Sequence, residues 1–384
     1  MDFKKYRSWL ALLISGTFAG CSNSNNQVVH SINSQTIAQS RILTNKHTLI
    51  VFVHGTILPL PSPTCLLSSL KDGFKKSRTE GKAWADYYYE ELRYKTLFKC
   101  QPRANFGLEN ISDLSPKDTQ KYPYTKLSAD LYKNSYDFAN QENSSNLHFY
   151  TFGWDGHLSQ KSRLSSAKVL YSSLLTETSK IKSTLNLKDQ DLELILIGHS
   201  HGGNVLLNLA KINKEINGNL KVDKLILFGT PVQSETEELI NDEMFRKIYS
   251  LYSTDDMVQV MDIISTQDSI SKRRYKNANI TSKLVQIELE IGNKRPCHNE
   301  LWLFGDPCNI VYRKNLAIYP LPVFVFAPVI INELNTKYSD ASEILAHIDK
   351  DKNTQCFTIK LKNKAFDKNQ TLTSMPTQIL AYSN

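Results

Sequence analysis

The sequence Leu192-Glu-Leu-Ile-Leu-Ile-Gly-His-Ser-His-Gly-Gly203 decides the fold of this chain of 384 residues. Its first six residues are apolar except for Glu193 and predict a buried strand. From Gly203 to Lys214 the apolar residues recur every three or four positions, which predicts an amphipathic helix. A sharp turn that carries the pattern G-x-S-x-G therefore joins a buried strand to a helix.

Such a turn gives Ser200 the properties of a nucleophile. Glycines two positions before and after the serine leave room for a strained backbone, so that the hydroxyl stands exposed at the end of the strand. The N-terminus of the following helix directs N–H donors and a positive dipole at negative charge that develops there. We therefore interpret Ser200 as a catalytic nucleophile.

Further strands and helices alternate on both sides of this turn. Thr48–Val53 predicts a second strand that is buried on both faces, and it leads into His54-Gly55-Thr56. The remaining predicted elements are strands at residues 146–154, 224–228, 248–253, 283–291 and 354–361 and a helix at 160–187. This alternation predicts an α/β fold with an open, mostly parallel sheet and helices on both faces. An aromatic-rich insertion at about 59–145 is expected to fold over the carboxyl ends of the strands, where such sheets bind ligands.

Candidates for an acid and a base follow two of the later strands. Asp255 and Asp256 come directly after the strand at 248–253, and both fit the position of an acid; we favour Asp256. His298 lies in the loop after the strand at 283–291 and is the expected general base, because imidazole can accept and return a proton near neutral pH. His347 is the alternative base, although its surroundings are typical of a helix interior.

These features resemble the α/β-hydrolase superfamily, and within it the lipase- and esterase-like members. The resemblance covers about residues 47–335 and rests on the strand that ends in His54-Gly55-Thr56, on Phe152-Gly-Trp-Asp-Gly156 and on the serine turn. It implies a triad of Ser200, Asp256 and His298 in the order of the superfamily. It also implies an oxyanion hole formed by the backbone N–H groups of His201 and Thr56.

The resemblance further implies hydrolysis of a carboxylic ester, with lipid or acyl esters favoured and no cofactor required. Thioesterase, amidase and deacetylase activities stay open, and so does an inactive lipid- or partner-binding protein that kept the fold. A metal site is not expected, because His54, His199 and His201 have no carboxylate or cysteine at ligand spacing nearby.

The N-terminus predicts export and lipid anchoring. Lys4, Lys5 and Arg7 precede an eleven-residue apolar run, which is too short to span a bilayer and fits a secretory signal peptide. The run ends in Phe18-Ala-Gly-Cys21, which resembles a bacterial lipobox and implies that Cys21 carries a lipid. A serine directly after the cysteine implies sorting to the outer membrane. The polar tract that follows is typical of a tether.

The other cysteines agree with an oxidising compartment. Proximity in sequence suggests the disulfides Cys65–Cys100 and Cys297–Cys308, the second of which would close the loop of the catalytic histidine. Cys356 is left over.

Composition excludes several classes of protein. With 41% hydrophobic and 22% charged residues, the chain is neither collagen-like nor disordered. The net charge of +8 is spread along the chain without a basic stripe, so nucleic acid is not an expected partner. We expect a signal peptide at 1–20, a tether at 21–46, a hydrolase domain at 47–335 and, packed on it, a C-terminal extension at 336–384.

Overall fold

A computed structural model gives the fold. It describes residues 43–56, 99–103, 105–112, 114–141, 144–260, 270–276, 282–306, 312–365 and 370–381. All described residues belong to one compact unit, Arg41–Asn384.

The strands in the described part of the chain are β1 (Leu43–Val53), β2 (Gly107–Asn110), β3 (Ser144–Gly153), β4 (Leu192–His199), β5 (Val222–Phe228), β6 (Phe245–Tyr252), β7 (Leu284–Ile291), β8 (Glu343–Asp351), β9 (Cys356–Asn363) and β10 (Gln370–Pro376). The α-helices there are α1 (Pro116–Lys121), α2 (Pro123–Ala139), α3 (Gln160–Leu185), α4 (His201–Glu215), α5 (Ser234–Glu237) and α6 (Ala327–Lys337). Short 3₁₀-helices lie at Asp189–Asp191, Glu238–Asn241, Asn299–Leu301, Val323–Phe326 and Thr377–Leu380. No helix of these segments has the length and apolar character that crossing a membrane requires.

The strands form one mixed sheet in the order β10-β9-β8-β7-β6-β5-β4-β1-β3-β2. Pairing is parallel from β3 through β8, whereas β2, β9 and β10 are joined antiparallel at the two edges. This mixed α/β architecture is compatible with the α/β-hydrolase fold that the sequence predicts. The chain places β3 on one side of β1 and β4 on the other, and open sheets bind ligands at such a reversal.

Strand β1 is buried on both faces, as its apolar run predicts. Leu49, Val51 and Val53 pack into a core layer that includes α3 and α4. Ile50 and Phe52 point to the opposite layer, which includes α2 and α6. All five side chains are fully buried. Burial of each contributes about 1.5–3 kcal/mol, which fixes the register of the strand that leads to the site.

The described part of the expected insertion belongs to the body of the fold. It contributes β2 to the sheet edge and α2 to one core layer, where the Tyr132 ring contacts Phe52 edge-on at 5.7 Å between centroids. β2 and α2 therefore cover an edge and a face of the sheet, and the placement of the insertion over the carboxyl ends of the strands stays a prediction. Residues 59–98 of the insertion lie outside the described residues.

The C-terminal segment continues the same sheet, because β8 pairs with β7 and is followed by β9 and β10. The prediction of a helix interior around His347 is wrong, since this residue lies on β8 between Glu290 of β7 and Lys360 of β9. Ile344, Ala346 and Ile348 alternate with it and are fully buried, so pairing and burial outweigh the helical propensity of the segment.

Candidate active site

Ser200 sits on a strained turn between β4 and α4. Its φ of 52° and ψ of −131° lie outside the regions that residues other than glycine ordinarily adopt. The Ser200 N–H donates to the carbonyl of Phe228 on β5 at 2.9 Å, and the Ser200 carbonyl accepts from the N–H of Gly203 at 3.0 Å. Such a conformation costs about 1–3 kcal/mol and persists only where the surroundings hold it.

Two glycines let the end of β1 pack against this turn. A Cβ on Gly202 would lie 2.4 Å from the carbonyl oxygen of His54, and a Cβ on Gly55 would lie 2.7 Å from the Cβ of Ser200. Both distances are far below van der Waals contact, so neither position admits a side chain without movement of the backbone. The residues after β1 therefore lie directly beside Ser200.

Asp256 and His298 form a buried pair beyond the ends of β6 and β7. The Nδ1 atom of His298 lies 2.7 Å from Oδ2 of Asp256, and Asp256 is fully buried. The second carboxylate oxygen of Asp256 accepts the N–H of Gln259 at 3.2 Å. Because a carboxylate only accepts, Nδ1 carries a proton, and in the neutral form of the ring Nε2 of His298 is then an acceptor.

The two adjacent carboxylates differ in position. Asp255 is exposed, and its backbone N–H donates to the hydroxyl of Ser253 at 3.2 Å. Asp256, and not Asp255, is thus the residue that the structure brings to His298.

A corner at Phe228 and Gly229 connects the pair to Ser200. Phe228 accepts the amide of Ser200, and the next residue, Gly229, has a φ of +56°. A Cβ on Gly229 would lie 2.9 Å from Oδ2 of Asp256 and 3.1 Å from Nδ1 of His298. Ser200 and the Asp256–His298 pair therefore flank the same corner of the backbone.

His199 holds the backbone of the candidate base. Its Nε2 donates to the carbonyl oxygen of His298 at 3.2 Å, its ring lies 4.5 Å from the His298 ring, and it stacks on Trp302 at 5.4 Å. Burial lowers the pKa of His199 well below its usual value, so the ring stays neutral near pH 7. Sequence reasoning missed this role, since a histidine before the serine gives no sign of a partner 99 residues away.

The residues expected to form the oxyanion hole flank the serine turn. His201 is the first residue of α4, and Thr56 is half-buried just after β1 with no hydrogen-bond partner for its buried hydroxyl in the described segments. His54 fixes this end of β1: its Nδ1 donates to the carbonyl of Gly55 at 2.7 Å, and its Nε2 accepts from the backbone N–H of Trp154 at 3.2 Å. The donor roles of His201 and Thr56 stay predictions.

The expected Cys297–Cys308 disulfide is wrong, because Cys297 carries a free thiol. Burial, followed by the charge of Glu300, raises the pKa of this thiol to about 11. Cys356 is also free, as expected, and Cys100 is disulfide-bonded. Cys21, Cys65 and Cys308 lie outside the described residues, so the Cys65–Cys100 pairing and the lipid anchor stay predictions.

Metal ligands do not gather in the described segments, where no three histidine, cysteine, aspartate or glutamate side chains are arranged to hold an ion. The three histidines near the turn are engaged otherwise. His54 and His199 bond to carbonyl oxygens, and Nδ1 of His201 lies 3.4 Å from the amide nitrogen of Asn204.

Comparison with known proteins yields two distant structural similarities. The sequence matches no protein-family model and no curated protein. A protein of Lactobacillus plantarum WCFS1 assigned as a cell surface hydrolase is similar over 56% of this chain and 70% of its own, at 13% identity and a TM-score of 0.23. The Tle1 effector bound to the VgrG spike of the type 6 secretion system is similar over 73% of this chain and 56% of its own, at 10% identity and a TM-score of 0.23. Both TM-scores are too low for either structure to inform the function of this chain.

Proposed function

We propose that this chain is a serine hydrolase that cleaves carboxylic esters through an acyl-enzyme, with Ser200 as nucleophile, His298 as general base and acid, and Asp256 as the orienting acid. The observation that carries the proposal is the combination of a strained serine at a strand-to-helix turn with a buried Asp–His pair against the same corner of the backbone. A core turn that only joins two elements has no need of either feature.

The reaction follows from these groups. Nε2 of His298 accepts the Ser200 proton as Oγ attacks the acyl carbonyl, and Asp256 stabilises the imidazolium that results. The tetrahedral oxyanion accepts hydrogen bonds from the backbone N–H groups of His201 and Thr56. Collapse of this intermediate expels the alcohol, which takes its proton from His298. Water, activated by the same imidazole, then releases the acid and regenerates Ser200.

The proposed substrate is a lipid or another acyl ester, and the proposed location is the cell envelope, where a lipid on Cys21 tethers the chain to the outer membrane. The serine turn and the Asp–His pair serve any acyl transfer, so thioesters, amides and acetylated sugars are competing substrates. An inactive lipid-binding protein of the same fold is the alternative from another class.

Hydrolysis of p-nitrophenyl esters from acetate to palmitate, compared with a phospholipid, tests the proposal. We expect wild-type protein to release p-nitrophenol and Ser200→Ala to fall to the background rate. Ser234→Ala serves as the matched control, because this serine is exposed at the start of α5 and bonds only to the adjacent Glu235 in the described structure. Folded wild-type protein without activity on any ester, thioester or amide would favour the binding protein.

A further inference from the structure

The segment that carries His298 is anchored by one buried carboxylate. Glu300 is fully buried, and four N–H groups donate to its two oxygens. Oε2 accepts from the backbone N–H of Cys297 at 2.7 Å and from Nη2 of Arg313 at 2.6 Å. Oε1 accepts from the backbone N–H and from Nε of Arg313 at 3.0 Å and 2.8 Å. A carboxylate offers about four acceptor sites, so this one is saturated.

These contacts enclose the candidate base on both sides. The bond from Cys297 to Glu300 spans His298, and it is matched by a return bond from the Glu300 N–H to the Cys297 carbonyl at 3.1 Å. Arg313 extends these contacts to residues before Cys297, since its Nη2 also donates to the carbonyl of Arg295 at 2.5 Å. The backbone is thus tied before and after His298 by one ion pair.

This ion pair takes the place of the disulfide that the sequence suggested. Cys297 has a free thiol, so no covalent bond at that residue restrains the loop. The Glu300–Arg313 pair has the fork geometry that gives charge-assisted hydrogen bonds their strength and direction. Because the Glu300 carboxylate is fully buried, loss of Arg313 would leave an uncompensated negative charge in the interior.

We infer that Glu300 is a positioning residue for His298, with Arg313 as its partner. Its carboxylate forms no hydrogen bond or ion pair with the imidazole, and it acts by fixing the backbone from which the ring reaches Asp256. The inference rests on the proposed function for its kinetic consequence, whereas its effect on the Asp256–His298 hydrogen bond does not require that the chain be an enzyme.

The test compares Glu300→Gln with Glu290→Gln. Glu290 is a partly exposed glutamate on β7 that takes no part in the contacts of Glu300. The first readout is the proton NMR signal of His298 Nδ1–H, which a strong hydrogen bond to Asp256 moves far downfield. We expect this signal in wild type and Glu290→Gln, and its loss or broadening in Glu300→Gln. The second readout is the hydrolysis of p-nitrophenyl acetate, for which we expect kcat to fall about 10- to 100-fold while KM changes less than twofold, since small displacements of reacting groups cost rates of this order.

Arg313→Lys provides a second variant in case Glu300→Gln does not fold, because it keeps the charge and loses the fork. We expect an intermediate loss in both readouts. A folded Glu300→Gln or Arg313→Lys protein that keeps the Nδ1–H signal and kcat, with only a lower melting temperature, would overturn the inference. A third outcome separates the two claims. If the Nδ1–H signal is present in wild type and lost in Glu300→Gln, but wild type hydrolyses no substrate, the proposed function is refuted and the positioning role stands.

Discussion

Asp256→Asn is the substitution whose effect the structure defines most sharply. The two oxygens of Asp256 have different tasks: Oδ2 accepts from Nδ1 of His298, and Oδ1 accepts from the backbone N–H of Gln259. Asparagine has only one acceptor oxygen for these two donors. If the oxygen stays with Gln259, the amide NH₂ faces His298, and Nδ1 must then become an acceptor.

That change moves the imidazole proton to Nε2, where it faces the nucleophile. The ring can no longer accept the proton of Ser200, which is the effect known from the same substitution in serine proteases, with a loss of about 10⁴ in kcat. A factor of 10⁴ corresponds to about 5.4 kcal/mol in the activation free energy. The assay is kcat for p-nitrophenyl acetate with purified, folded Asp256→Asn protein.

Asp255→Asn is the matched control, because Asp255 is the neighbouring residue, has the same chemistry and is exposed. We expect its kcat to stay within about twofold of wild type, since surface charges away from the reacting atoms interact weakly. The reasoning is refuted if Asp256→Asn keeps more than a tenth of wild-type kcat, or if Asp255→Asn has the larger loss.

Three further predictions concern residues near the candidate pair. Gly229→Ala is expected to lower kcat/KM at least tenfold and to lower the melting temperature, because the new Cβ would lie 3.1 Å from Nδ1 of His298 on a backbone with a φ of +56°; ester hydrolysis and a thermal melt check both effects. Because the pKa of His199 is lowered in the native state, the unfolded chain binds a proton at this residue below about pH 6.5 and the native state does not. The free energy of unfolding therefore falls as the pH is lowered, by at most about 1.4 kcal/mol per pH unit from this residue. Urea unfolding at pH 7.5 and 5.5 is expected to show a smaller pH dependence for His199→Gln than for wild type. Cys297, with a pKa of about 11, is expected to resist iodoacetamide at pH 8, where about one thiol in a thousand is ionised, and to react after unfolding, as peptide mass spectrometry can show.

Opposite outcomes would contradict these accounts. Full activity of Gly229→Ala would mean that the corner yields without disturbing the pair. An unchanged pH dependence in His199→Gln would show that His199 is not the neutral buried group described above. Rapid alkylation of native Cys297 would mean that its thiol is not shielded.

The centre of the fold could be predicted because its signals are local. Residues 49–53 and 194–197 are apolar without interruption, which is typical of strands that a parallel sheet buries on both faces. The turn at Ser200 requires glycines at fixed offsets, and Gly202 is excluded from bearing a side chain by the backbone of β1. The sequence pattern around Ser200 was therefore sufficient to predict the position of the candidate nucleophile.

The rest of the site depends on contacts between distant segments. Both adjacent aspartates fit the sequence pattern, with Asp256 favoured, and it is the packing against Gly229 and His298 that separates the buried Asp256 from the exposed Asp255. The Cys297–Cys308 prediction used sequence proximity, which does not fix the Cβ geometry that a disulfide requires. Glu300 and Arg313 gave no motif, since the two residues lie 13 positions apart in the sequence and no known pattern links them.

Covalent labelling by a fluorophosphonate tests the central claim most directly, because this reagent reacts with an activated serine whatever ester the protein acts on. The account predicts that intact wild-type protein gains the mass of one phosphonyl group, that the modified peptide contains Ser200, and that folded Ser200→Ala gains none. Folded wild-type protein that stays unmodified, or an adduct that persists in Ser200→Ala, would contradict the claim that this hydroxyl is a catalytic nucleophile.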